Sequence, residues 1–174
     1  MSLSVRERAR AIATFRFVEV RLMEIAAAWT PTTPEMEVKV LLGRHIWDFA
    51  QHADALGKRA FELRCPEQYS LSPSEPFLQL LEESAAVRPT ADRLAVLYEV
   101  LLPGMEQRYR EYLGKTDVLV DAPSCVVIER ILDDYGRQRR DAQRLRSETG
   151  LPAAGAEEFR RRDAAISTIV TAPA

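Results

Sequence analysis

The sequence is poor in most features that mark a specialised class of protein. It holds two cysteines, Cys65 and Cys125, sixty residues apart with no metal-ligand spacing, which points to a reducing compartment. The opening Met-Ser-Leu-Ser-Val-Arg-Glu-Arg lacks the apolar core of an export signal, and no apolar run is long enough to span a bilayer. A cytoplasmic protein is therefore expected. The net charge of -2 provides no general attraction to nucleic acid or anionic membrane, so neither is expected as a partner. The one basic run, Arg160 to Arg162, reads as a solvated helix face. Neither cysteine has a histidine nearby in sequence, and no serine elbow or phosphate loop occurs. No internal repeat is present, and strand signals are nearly absent.

What is present is helical. The 174 residues, 47% hydrophobic and 29% charged, suit one globular domain with a sizeable core. Ser4 with Glu7 forms a capping-box pattern opening a first helix near residue 5, with Ile12, Phe15, Leu22, Ile25 and Trp29 on its apolar face. Pro31 ends it, and Pro34 suits the first turn of a second helix over 34–64, about 45 Å long. Its core stripe is Val38, Leu41, Leu42, Phe49, Leu56 and Leu63. Four prolines break the pattern over 65–89, around a short amphipathic piece with Phe77, Leu80 and Leu81. A third helix starts near Thr90 and carries Leu94, Leu97, Leu101, Met105 and Leu113, with a kink expected at Pro103-Gly104. A fourth starts at Asp121 and Pro123, carries Val127, Ile131, Tyr135, Ala142 and Leu145, and stops at Gly150.

The connections run to about four, about twenty-five and about nine residues. One long link between the second and third helices is the pattern of a ferritin-like four-helix bundle rather than a simple up-down bundle. The expected architecture is thus all-α, with the bundle in 1–150 and a tail in 151–174 that docks on the bundle or on another subunit.

Polar residues interrupt the second helix where leucine would be expected. Continuing the stripe from Leu41 and Leu42 passes through His45, Asp48 and His52, at i, i+3 and i+7, and these are the only two histidines in the chain. A buried carboxylate needs a partner or a metal, so Asp48 must find one. Glu19 lies on or beside the first helix's apolar face, Glu99 and Glu106 sit on the third helix, and Glu129, Asp133 and Asp134 on the fourth. Carboxylates from several helices with histidines from one have the composition of a di-iron or di-manganese site. The open alternatives are hydrogen-bonded core histidines, a Glu19 paired with a buried histidine or with Arg16, Arg21 or Arg44, and a solvated Glu99 and Glu106. Trp47, Tyr98, Tyr109, Tyr112 and Tyr135 read as packing residues whose hydroxyls find polar neighbours.

On Glu19, His45 to His52, Glu99, and Glu129 with Asp133, residues 5–149 resemble bacterial members of the ferritin-like superfamily. The resemblance implies a metal site inside the bundle with Glu19, His45, Asp48, His52, Glu99 and Glu129 as candidate ligands, iron or manganese as the metal, and oxygen or peroxide as the reactant. Metal-binding members carry Glu-x-x-His on the second and fourth helices. Here the second helix has His45-x-x-Asp48 and Asp48-x-x-x-His52, and the fourth has Glu129-x-x-x-Asp133 without histidine. The Asp48-x-x-x-His52 pair also resembles the iron pair of haem-oxygenase-like helical proteins. Three functions stay open: a metal-dependent oxidoreductase; a non-catalytic bundle with a metal-free polar core, acting through homodimerisation or partner binding; and a small-molecule pocket beside Pro103-Gly104 lined by Trp47, Tyr98 and Tyr109. A metal-free core predicts that His52→Leu is tolerated, because packing can replace a satisfied network.

Overall fold

The computed structural model describes residues 3–64, 69–152 and 155–171, and every regular element among them is helical. Helix α1 (Val5–Trp29) opens on the expected capping box. Ser4 Oγ accepts the Glu7 backbone N–H at 3.3 Å, and the Glu7 carboxylate accepts the Ser4 N–H at 2.7 Å. A 3₁₀ turn, Thr30–Thr32, leads into α2 (Met36–Glu62). The amphipathic piece after Ser74 is α3 (Glu75–Ala85). Helix α4 (Thr90–Ala95), a π-helical stretch over Val96–Leu101 and α5 (Leu102–Lys115) follow one another without a break and form one rod. Helix α6 (Ala122–Thr149) stops at Gly150, whose φ of 62° is the left-handed conformation that glycine adopts without strain. Helix α7 (Glu157–Ala165) lies in the tail. No helix among the described residues is long and apolar enough to cross a membrane. Cys65 lies outside the described residues, whereas Cys125 is a buried free thiol.

The irregularity expected at Pro103-Gly104 sits just before it. Pro103 has no N–H, and its ring would clash with the carbonyl four residues back, that of Glu99. In the rod this turn is widened to π register, with the Leu102 N–H bonded to the Leu97 carbonyl. The wider turn accommodates the proline without a break in the chain of helical residues.

Hydrogen bonds at the two ends set the helix directions. At one end the Leu3 N–H donates to the Lys115 carbonyl at 3.2 Å, and Arg59 and Tyr112 donate to Asp121 at 2.9 and 2.6 Å. This gathers the start of α1, the ends of α2 and α5, and the start of α6. At the other end Arg93 donates to the Trp29 carbonyl at 3.3 Å, Thr90 donates to Glu35 at 2.8 Å, and Arg146 pairs with Glu99. That gathers the end of α1, the starts of α2 and α4, and the end of α6. Helices α1 and α6 therefore run one way, and α2 and the α4–α5 rod the other. Between them lies a core of Ile12, Phe15, Leu22, Phe49, Leu56, Leu97, Leu101, Met105 and Ile131. Trp47 is not part of it. Opposite the core on α2, it is 65% exposed, because the stripe through Leu42, His45 and Phe49 turns position 47 outward.

The tail packs on its own chain. Asp163 pairs with Arg108 at 2.9 Å, the Ser74 N–H donates to the Ile169 carbonyl at 2.9 Å, and Arg10 donates to the Thr171 carbonyl at 2.9 Å. Arg160, Arg161 and Arg162 pair with Glu157, Glu158 and Glu83, so the basic run is neutralised on the surface. The space expected beside Pro103-Gly104 is taken by this tail, since a Cβ on Gly104 would overlap the Asp163 carboxylate and lie 2.8 Å from Arg108 Nη1. Gly104→Ala is therefore expected to unseat α7 while leaving the rest folded, because alanine favours the helix by about 1 kcal/mol. Limited trypsin digestion should show cleavage at Arg160 to Arg162 accelerating several-fold. An unchanged rate would mean that Asp163 does not anchor the tail.

Candidate functional site

The anomalous stripe of α2 becomes a chain of polar contacts through the molecule. Glu19, fully buried on α1, uses both carboxylate oxygens: Oε1 accepts the hydroxyls of Tyr109 on α5 and Tyr135 on α6, each at 2.6 Å, and Oε2 lies 3.1 Å from His52 Nδ1. His52 Nε2 lies 3.1 Å from Asp134 Oδ2 on α6. Arg137 donates to Asp134 at 2.6 Å and to Asp48 at 3.0 Å, and the Gln138 amide donates to Asp48 at 3.0 Å. One turn toward the start of α2, His45 Nδ1 is 2.7 Å from the Tyr98 hydroxyl, and His45 Nε2 is 3.9 Å from Asp141 Oδ2.

Helical spacing explains the assembly. Asp134, Tyr135, Gln138, Asp141 and Ala142 fall on adjoining strips of α6 and meet His52, Asp48 and His45 in reverse order, because α2 and α6 run antiparallel. Tyr109 follows Met105 by one turn on the inner face of α5.

The electrostatics divide the two histidines. Burial alone would lower the His52 pKa, but the charge of Glu19 and the hydrogen bonds of Glu19 and Asp134 outweigh it and raise it above the ordinary value. Burial likewise opposes the ionised Asp134, yet the hydrogen bonds of Arg137 and His52 hold its carboxyl below the usual range. Burial and then the Glu19 charge push the Tyr109 and Tyr135 phenols well up, so both stay neutral donors. His45 goes the other way: burial lowers it to about 4, against weaker opposition from Asp48 and Asp141, and the ring is neutral at pH 7. Tyr98, raised by burial and by the same two carboxylates, is neutral beside it.

Of the residues expected at a site, Glu19 and His52 are in contact, and Asp48 joins them through Arg137 and Asp134. His45 is separate, paired with Tyr98. Glu99 and Glu129 are not brought in. Both are exposed, Glu99 with Arg146 and Arg160 on the outer side of the π stretch, and Glu129 one residue past buried Ile128. Glu106 pairs with Arg139 near the surface. None of Arg16, Arg21 and Arg44 partners Glu19, whose partners are two tyrosines and a histidine. Trp47, Tyr98 and Tyr109 do not share a pocket. Tyr98 borders a cleft of about 460 Å³ with Glu99, Arg139, Gln143 and Arg146, while Tyr109 is buried on Glu19.

Sequence reasoning gave Asp121 only a helix-start role. The carboxylate is fully buried, accepting from Tyr112, Thr116, Ser124 and Arg59 at 2.6, 2.7, 2.6 and 2.9 Å. Burial would raise its pKa, but these hydrogen bonds lower it. Its signal, an acidic residue three before Ser124 at a helix start, reads equally as an ordinary cap.

The fit to a metal is poor. Both ring nitrogens of His52 and both oxygens of Glu19 are engaged by protein groups, and each hydroxyl bound to Glu19 Oε1 is a donor that a cation would have to displace. Among the described residues, no three His, Cys, Asp or Glu side chains form a group that could hold a metal ion. No family model matches the chain, and no curated protein or solved structure matches it either.

Proposed function

We propose that this is a ferritin-like four-helix bundle in which the site positions Glu19 and His52 are tied into a hydrogen-bond network of the protein's own groups, and that it works without catalysis, by associating with copies of itself. The helix directions support the architecture: α2 ends at one end of the molecule and α4 begins at the other, the arrangement that one-crossover bundles have between their second and third helices. The observation that carries the functional reading is the state of Glu19 and His52, each of whose side-chain oxygens and ring nitrogens has a partner within the protein. Buried hydrogen bonds of this kind specify helix register and orientation, and at Glu19 and His52 they leave no ring nitrogen or carboxylate oxygen without a protein partner. The buried free thiol of Cys125 suits a reducing cytoplasm.

Metal analysis of protein purified without chelator is expected to find no stoichiometric iron, manganese or zinc. Adding Fe(II), Mn(II) or Zn(II) is expected to leave the Tm unchanged, since a ligand stabilises only what it binds. A bound metal equivalent that raises the Tm, and that disappears in His52→Ala, would overturn the reading in favour of a metal-dependent oxidoreductase.

A further inference from the structure

The outer face of α2 carries apolar surface that its own chain leaves uncovered. Met36, Val40 and Trp47 are 65%, 49% and 65% exposed, and Gly43 lies among them at the same helical spacing. Together they form one stripe opposite the core, roughly 17 Å long. Glycine inside a helix is unfavourable relative to alanine, and a Cβ at Gly43 would meet nothing of this chain within 4 Å. The missing side chain serves no contact inside the protomer, but it opens a notch where another helix can approach closely.

The charges beside the stripe say which helix. Glu37 and Arg44 are exposed, stand seven residues apart on one flank, and have no ion-pair or hydrogen-bonding side-chain partner among the described residues. A two-fold axis near Val40 that sets α2 antiparallel to a second α2 brings Glu37 opposite the partner's Arg44, and Arg44 opposite the partner's Glu37. The same placement seats Met36 in the partner's Gly43 notch and lays Trp47 against the partner's Met36, a sulfur–aromatic contact. An isologous contact of this kind needs one self-complementary patch, which this face supplies.

We infer that the protein forms a homodimer through the Met36–Val40–Gly43–Trp47 face of α2, with Glu37 and Arg44 paired reciprocally across the axis. This rests on the self-association reading above and names its surface. The seam is short compared with standard interfaces, so a weak, concentration-dependent dimer is expected.

Sedimentation equilibrium of the full chain from micromolar to millimolar concentration tests it. The wild-type mass should climb from the 19.7 kDa protomer toward twice that value. Trp47→Glu should weaken association at least tenfold, because a carboxylate would replace the largest apolar side chain of the seam. Glu37→Arg and Arg44→Glu should each be monomeric, because each sets like charges face to face twice. An equimolar mixture of these two variants should dimerise, since every facing pair is then opposite in charge, and that recovery also shows both variants to be folded. A mixture that stays monomeric overturns the inference. Wild-type association that Trp47→Glu leaves unchanged would also overturn it, placing the contact on another face while self-association stands. A wild-type chain monomeric throughout would sink both, whatever the metal analysis gives.

Discussion

Glu19→Ala is expected to destabilise the protein by about 3–5 kcal/mol, the range for removing one partner of a buried charged pair. The alanine leaves the hydroxyls of Tyr109 and Tyr135 and the Nδ1 side of His52 without the acceptor they share, in a part of the molecule that water does not reach. Glu19→Gln keeps an oxygen for both tyrosines. His52 can then accept the new amide at Nδ1 while its Nε2–H donates to Asp134, so a loss of only about 1–2 kcal/mol is expected. Denaturant unfolding followed by far-ultraviolet circular dichroism and tryptophan fluorescence checks both values. If alanine costs no more than glutamine, the shared acceptor is not what holds α1, α5 and α6 together. The contacts also change what is expected of His52→Leu: leucine would leave Glu19 Oε2 without its partner, so a loss of stability is expected, and only removal of both partners approaches neutrality.

Stability is expected to pass through a maximum near pH 6.5, with a different histidine responsible for each side. His45 has its pKa lowered to about 4 in the folded protein against about 6.5 when unfolded, so the unfolded chain takes up its proton first. Its contribution is full above pH 6.5 and is lost as the pH falls toward 4, a difference of about 3 kcal/mol for this fully buried ring. His52 has its pKa raised, so its contribution is full below pH 6.5 and is lost as the pH rises through the folded value. Urea unfolding at a series of pH values should give this bell. His45→Gln should flatten the limb between pH 6.5 and 5, and His52→Gln should flatten the alkaline limb. An acid limb that persists in His45→Gln would assign it to carboxylates instead.

The helices were legible because their signals are local. Apolar spacing, the Ser4–Glu7 cap, Pro34, Pro123 and Gly150 act within a few residues of where each helix starts or stops. The polar stripe was legible for the same reason: His45 and His52 stand on a leucine face, and both are buried. The partners of that stripe were not. Tyr109 and Tyr135 fit an apolar stripe as well as phenylalanine does, and only their opposition to Glu19 turns them into donors. Asp133 and Asp134 are neighbours in sequence, yet one is exposed and the other holds His52, a choice made by the rotation of α6 against α2. Glu99 and Glu129 were candidates beside Glu19, but rotation of their helices turns them to solvent.

By itself the sequence determined an all-helical chain, the boundaries of its main helices and one helix with polar residues on its core face. Those depend on hydrogen bonds and side-chain spacing within a single segment. The tertiary structure alone decided that Glu19 meets two tyrosines and a histidine, that His45 and His52 are driven in opposite directions, and that Trp47 faces outward. Each of these depends on how one helix is rotated against another, which the packing of the whole core sets.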